Sequence, residues 1–379
     1  MLTWASPLWS GRYSKGQVMG GKGVKKVGGA EKSSGSKKAA AAKAQKPQNI
    51  QDLARIAGVS AATVSRALAG TGNISSATRE KIRALAHQYD FRPSNTARNL
   101  RMGRTGTIGV VVPLGHEKTQ HFSDPFFMRL LALIADRIAE RGYDLLLSKV
   151  VPHDPEWLSR QVDSGRVDGM IIIGQSNQSD VINSVARYYD PLVVWGAALD
   201  EQIYCSVGSD NRLGGRMATE HLLSLGCRKL AFFGDPSVPE IEQRLEGFRD
   251  ALRDKGNGAV GTTLPVHFVP EQALEDISGF LDMADKVDGI FATSDTIAMT
   301  ALQALLDRRR AVPKDVKVIG FDDLEIARRT VPALSSIRQD LEAGADALVD
   351  LLFRKIAGKS VETVMLKPQI VTRGSTTCD

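Results

Sequence analysis

Between Asn49 and Tyr89 apolar residues recur every three or four positions, in three short groups. The first is Ile50, Leu53, Ile56 and Ala57, the second Val64 and Leu68, and the third Ile82, Leu85, Ala86 and Tyr89. That period predicts three amphipathic helices. Asp52 lies in the first turn of the first helix, Gly58 ends it, Ser60 is placed to cap the second, and Pro93 closes the unit. A further short helical signal, "PSNTARNLRMG", follows, with Ser94 as its N-cap. After Arg104 the rhythm changes. Strand-like runs ("TIGVVVP", "YDLLLSKV", "GMIIIG", "PLVVWG", "KLAFFG", "GIFATSD", "VKVIGFDD") alternate with amphipathic stretches such as "FFMRLLALIADRIAERG", "NRLGGRMATEHLLSLG" and "LEAGADALVDLLFRKIAG". Near-continuous apolar strands separated by helices predict parallel sheets built from βαβ units. Residues 105–379 are too many for one doubly wound unit of average size, so two similar Rossmann-like α/β lobes in tandem are expected.

Composition changes the picture mainly at the start of the chain. Residues 1–46 are rich in Gly, Ser, Ala and Lys without hydrophobic periodicity, and are expected to be a disordered basic extension. They hold nine Lys, one Arg and a single acid, Glu31. Their +9 within a total of +6 leaves −3 for the remainder, so a nucleic-acid partner has to be argued locally. A signal peptide is not expected: the first positive charge is Arg12, and no apolar h-region precedes a small-residue cleavage site. No apolar run reaches the length of a membrane span. The three cysteines, Cys205, Cys227 and Cys378, have neither metal-ligand nor CxxC spacing, which points to a reducing cytoplasm. The expected organisation is extension 1–46, helix-turn-helix domain 47–92, hinge helix or linker 93–104, and two-lobed core 105–379.

The second helix, in "GVSAATVSRALAG", carries short side chains and no carboxylate. Such a face lets a backbone approach bases in the major groove, where a carboxylate would meet phosphate. Ala61, Ala62 and Arg66 point away from the Val64/Leu68 face, and Arg66 has the donors for guanine O6 and N7. Ser60, Thr63 and Ser65 can reach phosphates. A plain helical bundle with a solvated arginine is the alternative for this helix taken alone. Downstream, Leu100 is the one large apolar residue of "SNTARNLR". It suits a wedge between minor-groove base steps, with Arg101, Asn95 and Thr96 as neighbouring DNA contacts.

The α/β region carries no GxSxG elbow, Walker loop or HExxH, and its histidines are scattered. No enzyme activity, metal or cofactor is expected. Aromatic and acidic residues instead gather at the carboxyl ends of strands, where ligands bind in such sheets. They are Asp124, Phe126, Phe127, Trp195, Asp295 and Asp322. Aromatic faces and paired acceptors suit a sugar ring, while Asp295 could equally cap the helix it precedes.

The run "IQDLARIAGVSAATVSRALAG…ISSATREKIRALAHQYDFRPSNTARNLR" is similar throughout to the signature of the lactose-repressor (LacI/GalR) family of bacterial transcriptional regulators. "SDPFF", "VDGMII", "SDNRLGG", "HLLSLGCRKLAFFG", "RLEGF", "ATSDTIAMTAL" and "VIGFDDLEIARRTVPALSSIRQD" extend the resemblance to about Gly374, in order. It implies a helix-turn-helix headpiece, a hinge helix that folds on operator DNA, and a core like the periplasmic sugar-binding proteins. Ala61, Ala62 and Arg66 fall on the family's base-reading positions, Leu100 on its intercalating leucine and Arg101 on the adjacent minor-groove residue. Phe126, Phe127, Trp195, Glu240, Arg244, Asp295 and Asp322 fall on or near effector-pocket positions. The implied partners are near-palindromic operator DNA, a sugar or sugar-derivative effector, and a second copy of the chain in a homodimer. The basic extension departs from the family pattern, and with the sequence ending in "VTRGSTTCD" a leucine-rich tetramer helix is not expected. The rival is a periplasmic-type sugar-binding protein or α/β enzyme without DNA function, which predicts a secretion signal and no headpiece.

Overall fold

The computed structural model describes residues 46–91, 103–114, 124–283 and 287–377. The extension and the hinge positions Asn95, Thr96, Leu100 and Arg101 lie outside the described residues. The chain divides at Pro93 into two compact units.

In the first unit, α1 (Ile50–Ala57), α2 (Ala61–Ala69) and α3 (Ser76–Gln88) each begin at a side-chain cap. Asn49 accepts from the Asp52 N–H, Ser60 from that of Thr63 and Ser75 from that of Thr78. Each satisfies a donor that the first helical turn cannot. Gly58 and Gly70 stop the first two helices at φ 70° and 74°, backbone that suits glycine. Leu53, Ala54, Ala57, Val64, Ala67, Ile82 and Ala86 form the core. Two positions depart from expectation. Ile56 is exposed and Ala54 takes its place, because the inward stripe runs 50, 53, 54, 57. Ala67 is buried where Leu68 is only partly so.

The second unit contains two six-stranded sheets. The first, in order β11-β5-β4-β3-β1-β2, comprises β1 (Thr107–Pro113), β2 (Asp144–Val150), β3 (Gly169–Ile173), β4 (Leu192–Trp195), β5 (Cys205–Ser209) and β11 (Val364–Leu366). The second, in order β12-β10-β9-β8-β6-β7, comprises β6 (Lys229–Phe233), β7 (Val260–Leu264), β8 (Gly289–Ala292), β9 (Lys317–Asp322), β10 (Ser335–Arg338) and β12 (Gln369–Val371). All pairings are parallel except β12 on β10.

Helices α4 (Pro125–Glu140), α5 (Trp157–Asp163) and α6 (Ser179–Ala186) belong to the first lobe. Helices α7 (Asn211–Ser224), α8 (Pro239–Lys255), α9 (Pro270–Met283) and α10 (Asp295–Asp307) belong to the second. The lobes are not strictly in tandem. After β10 the chain returns to the first lobe as α11 (Leu341–Ile356), whose Leu348, Val349 and Leu352 join its core, and then as β11. The backbone therefore crosses between lobes at Asp210, at Gln339–Asp340 and at Lys367–Pro368. No described helix is long and apolar enough to cross a membrane.

The "RLGGRM" and "RLEGF" motifs meet where α7 packs on α8. A Cβ on Gly215 would lie 2.1 Å from the Arg244 carbonyl oxygen, and one on Gly247 would lie 2.0 Å from that of Arg212. The helices thus touch backbone to backbone, and only glycine permits it. Gly215→Ala should force α8 outward and destabilise the chain by about 1–3 kcal/mol, read as a lower urea midpoint. A midpoint equal to that of the parent would show that the contact is not so tight.

Candidate functional site

On α2, Ser60, Ala62 and Arg66 are exposed and Ala61, Thr63 and Ser65 half-buried, while Val64 and Ala67 turn inward. Ala62 and Arg66 therefore face outward, Ser60 caps the helix and Thr63 and Ser65 lie on its flanks, whereas Ala61 packs against the core of the unit; the helix carries no acid. The Ser60 and Thr63 hydroxyls are 2.9 Å apart and hydrogen-bonded. The Arg66 side chain lies over Gly72, where an added Cβ would come 3.1 Å from its Cδ. Gly72 holds φ 74°, so glycine both permits this turn and leaves the arginine stem its bed.

In the second unit, the carboxyl ends of β1, β3, β4, β8 and β9 converge on a cavity of about 120 Å³ between the lobes. The first lobe contributes Asp124, Phe126, Phe127 and Trp195 to its wall, and the second contributes Glu240, Arg244 and Asp322. Asp124 caps α4 by accepting from the Phe126 N–H at 2.8 Å, which places Phe126 and Phe127 in the first turn. The Phe126 ring lies 5.6 Å from that of Phe127, nearly edge-on, and 6.1 Å from that of Trp195. Trp195 in turn packs on Gly344 of α11, where a Cβ would come within 2.3 Å of the indole.

Arg244 is only 8% exposed. Its Nε donates to Asn211 Oδ1 at 2.9 Å, its Nη1 donates to the Thr293 carbonyl at 2.5 Å, and its guanidinium lies 3.6 Å from the Phe321 ring centroid. Burial lowers its pKa, while Asp322 and Glu240 pull it back up. No ion pair joins Arg244 to either acid among the described residues. Gln339, at a lobe crossing, donates to Asp322 Oδ1 at 2.6 Å. Asp322 and Asp323 are consecutive non-glycine residues with φ of 110° and 53°. Such backbone costs roughly 1–3 kcal/mol per residue and persists only where surroundings enforce it. Here Asp323 accepts from Arg338 Nε at 2.7 Å and from Arg373, and its own N–H donates to Ser336 Oγ at 3.0 Å.

Asp295 stands apart from the other candidates. The helix cap is Ser294, which accepts from the Ile297 N–H, and Asp295 is fully buried behind the cavity wall. Its carboxylate accepts from the Leu324 N–H at 2.7 Å and from Ser336 Oγ at 2.6 Å, so it braces the strained Asp322–Asp323 turn from beneath.

A family model for bacterial regulatory proteins of the lacI family matches residues 49–94, and one for a periplasmic binding protein-like domain matches 219–376. The HTH-type transcriptional regulator CelR of Thermobifida fusca is 31% identical over 84% of this chain and 94% of its own. The chain belongs to the lacI family. The ribose operon repressor of Haemophilus influenzae is 30% identical over 86% of this chain and 98% of its own. Among solved structures, a CelR–cellobiose complex superposes with a TM-score of 0.62 at 27% identity, covering 87% of this chain and all of that one. The lac repressor dimer bound to operator and the anti-inducer ONPF shares the fold, with a TM-score of 0.77 at 23% identity over 88% of this chain and all of that one.

Within this lacI-family core, the cavity wall includes Ser176, Phe268, Thr293 and Gln339, which sequence patterns did not single out. "SSIRQD" held the only visible trace of Gln339, as the residue that leaves β10.

Four acids sit at or under this cavity, and burial raises the pKa of each: Asp124, Glu240, Asp295 and Asp322. Asp322 is pushed up to about 7 despite Arg244 and Gln339, which favour its ionised form. A folded pKa above the unfolded one means that folding favours the protonated acid. The stability it contributes is whole below pH ~4 and is lost as pH rises to about 7. Asp322→Asn should therefore gain on the parent by about 1–3 kcal/mol between pH 5 and 7, then run level above 7, in calorimetric unfolding. A gap independent of pH would show that Asp322 does not titrate in that window.

Proposed function

We propose that the chain is a homodimeric, sugar-responsive transcriptional repressor of the bacterial cytoplasm, acting by binding and not by catalysis. The observation that carries this is one chain joining an outward, carboxylate-free helix to a cavity walled by both lobes at their crossings. Aromatic faces of Phe126, Phe127 and Trp195 suit the C–H face of a sugar, and Arg244 and Asp322 suit its hydroxyls. A ligand touching both lobes favours one degree of closure over others, and closure is what couples effector to operator. Two copies side by side call for a near-palindromic operator, bent where Leu100 wedges between base steps. The homologous transcriptional regulator CelR and ribose operon repressor support the regulatory role.

Two substitutions separate the two sites. Arg66→Ala should cost about 1–3 kcal/mol of operator affinity and relax discrimination at one base pair per half-site, measured by mobility shift on operator variants. Equal weakening on random DNA would make Arg66 a phosphate contact. Asp322→Ala should bind operator normally yet release it only at about 10- to 150-fold higher sugar concentration, the loss of one charged hydrogen bond. Unaltered release would remove Asp322 from the effector's contacts.

A further inference from the structure

The residues that lead from the hinge segment into β1 form a short junction. Gly103 and Gly106 hold left-handed backbone, at φ 65° and 71°, on either side of Arg104 and Thr105. Glycine reaches both hands of φ at little cost, so a junction built this way swivels unless something grips it. Asp168, which precedes β3, supplies the grip. Its Oδ1 accepts from the Thr105 N–H at 2.6 Å and its Oδ2 from the Gly106 N–H at 2.8 Å, across 63 and 62 positions of sequence. Hydrogen bonds to an ionised acceptor are shorter and stronger than neutral ones. The backbone completes the hold: the Asp168 N–H donates to the Thr107 carbonyl at 2.8 Å, and the Asp144 N–H of β2 donates to the Gly106 carbonyl at 2.9 Å. Asp168 is itself firmly seated. Val167 before it and β3 after it are buried, and a Cβ on Gly169 would come 2.9 Å from Leu352 and 3.0 Å from Ile356 of α11. The pairing of β1 with β2 begins at Thr107, so the carboxylate grips two residues upstream of the strand, next to the hinge segment.

We propose that Asp168 is a positioning residue for operator binding: its carboxylate locks the swivel between Gly103 and Gly106 and so fixes the direction in which the hinge segment leaves the core. This rests on the operator-binding function proposed above and deepens it. Asp168 acts through Thr105 and Gly106, not by contact with DNA. In a dimer on a near-palindromic operator, the distance between the two reading helices sets the spacing of the half-sites. Two locked junctions hold that distance to one value. Two swivelling junctions let it vary, so that the headpieces follow half-sites moved closer together or further apart.

The test uses the full-length chain and a duplex that the parent protein selects from a random pool. Versions of that duplex with one base pair added or removed at the centre are compared with it in mobility-shift titrations. The parent should lose about tenfold or more in affinity on either altered duplex. Asp168→Ala should bind the selected duplex about tenfold more weakly than the parent, yet lose no more than about threefold on the altered ones. Asp168→Asn keeps the shape of the side chain and one acceptor oxygen. It should show the same loss of spacing discrimination, and it carries the test if thermal unfolding shows that Asp168→Ala does not fold. A spacing penalty in the variants equal to that of the parent overturns the inference, because a chain that is merely destabilised loses affinity for every duplex by the same factor. A parent that binds the altered duplexes as tightly as the selected one overturns it too, while leaving operator binding intact. If the parent selects no duplex at all, the operator-binding function falls and this inference with it.

Discussion

Burying the Arg244 guanidinium is the constraint around which the second lobe is organised. A cation at 8% exposure is tolerated only with partners on several sides. Asn211 of α7, the Thr293 carbonyl beyond β8 and the ring of Phe321 in β9 supply them, so one side chain ties together three elements besides its own helix. That arrangement requires α8 to lie hard against α7, and the paired glycines Gly215 and Gly247 make it possible. Helix packing and site chemistry are in this sense one feature.

The acids respond to the same constraint at longer range. Asp322 faces Arg244 through space, held by Gln339 from a lobe crossing and by a strained backbone that Asp295, Ser336, Arg338 and Arg373 pin down. Displacing Asp322 therefore disturbs the residues at one of the three crossings, Gln339–Asp340. The Asp322–Gln339 hydrogen bond thus places a cavity-wall carboxylate directly on a lobe crossing.

The fold class was legible because its signals are local. Helix caps, glycine stops, the change from helical to strand period and the apolar runs of β1, β3, β4, β6 and β9 each sit within a few residues. What escaped was built from distant partners. The strand "SSIR" reads as polar, yet Ser335 and Ser336 are buried because Thr376, Ser375 and Asp295 satisfy them from up to forty-one positions away. The strand "VGTTL" forms an exposed edge without the apolar run of a central strand. In the site, the motifs pointed to Phe126, Phe127, Trp195, Glu240, Arg244 and Asp322, all of which meet at the cavity. Asp295 shows the limit of sequence proximity, since one residue of helix phase separates a cavity wall from its foundation.

The interleaving of the lobes has a consequence for how the chain is made. On the ribosome, β1 to β5 emerge first, but α11 and β11, which cover and extend that sheet, emerge only after nearly the whole second lobe. The second lobe in turn lacks β12 until α11 and β11 of the first have been made. Neither lobe can therefore be completed before most of the other has been made, and apolar sheet surface of the first stays uncovered while the second is synthesised. Apolar surface exposed in this way is prone to aggregate until it is covered. A chain that stops before Val364 lacks both β11 and β12 and leaves both lobes unfinished together, which ties the making of each lobe to that of the other.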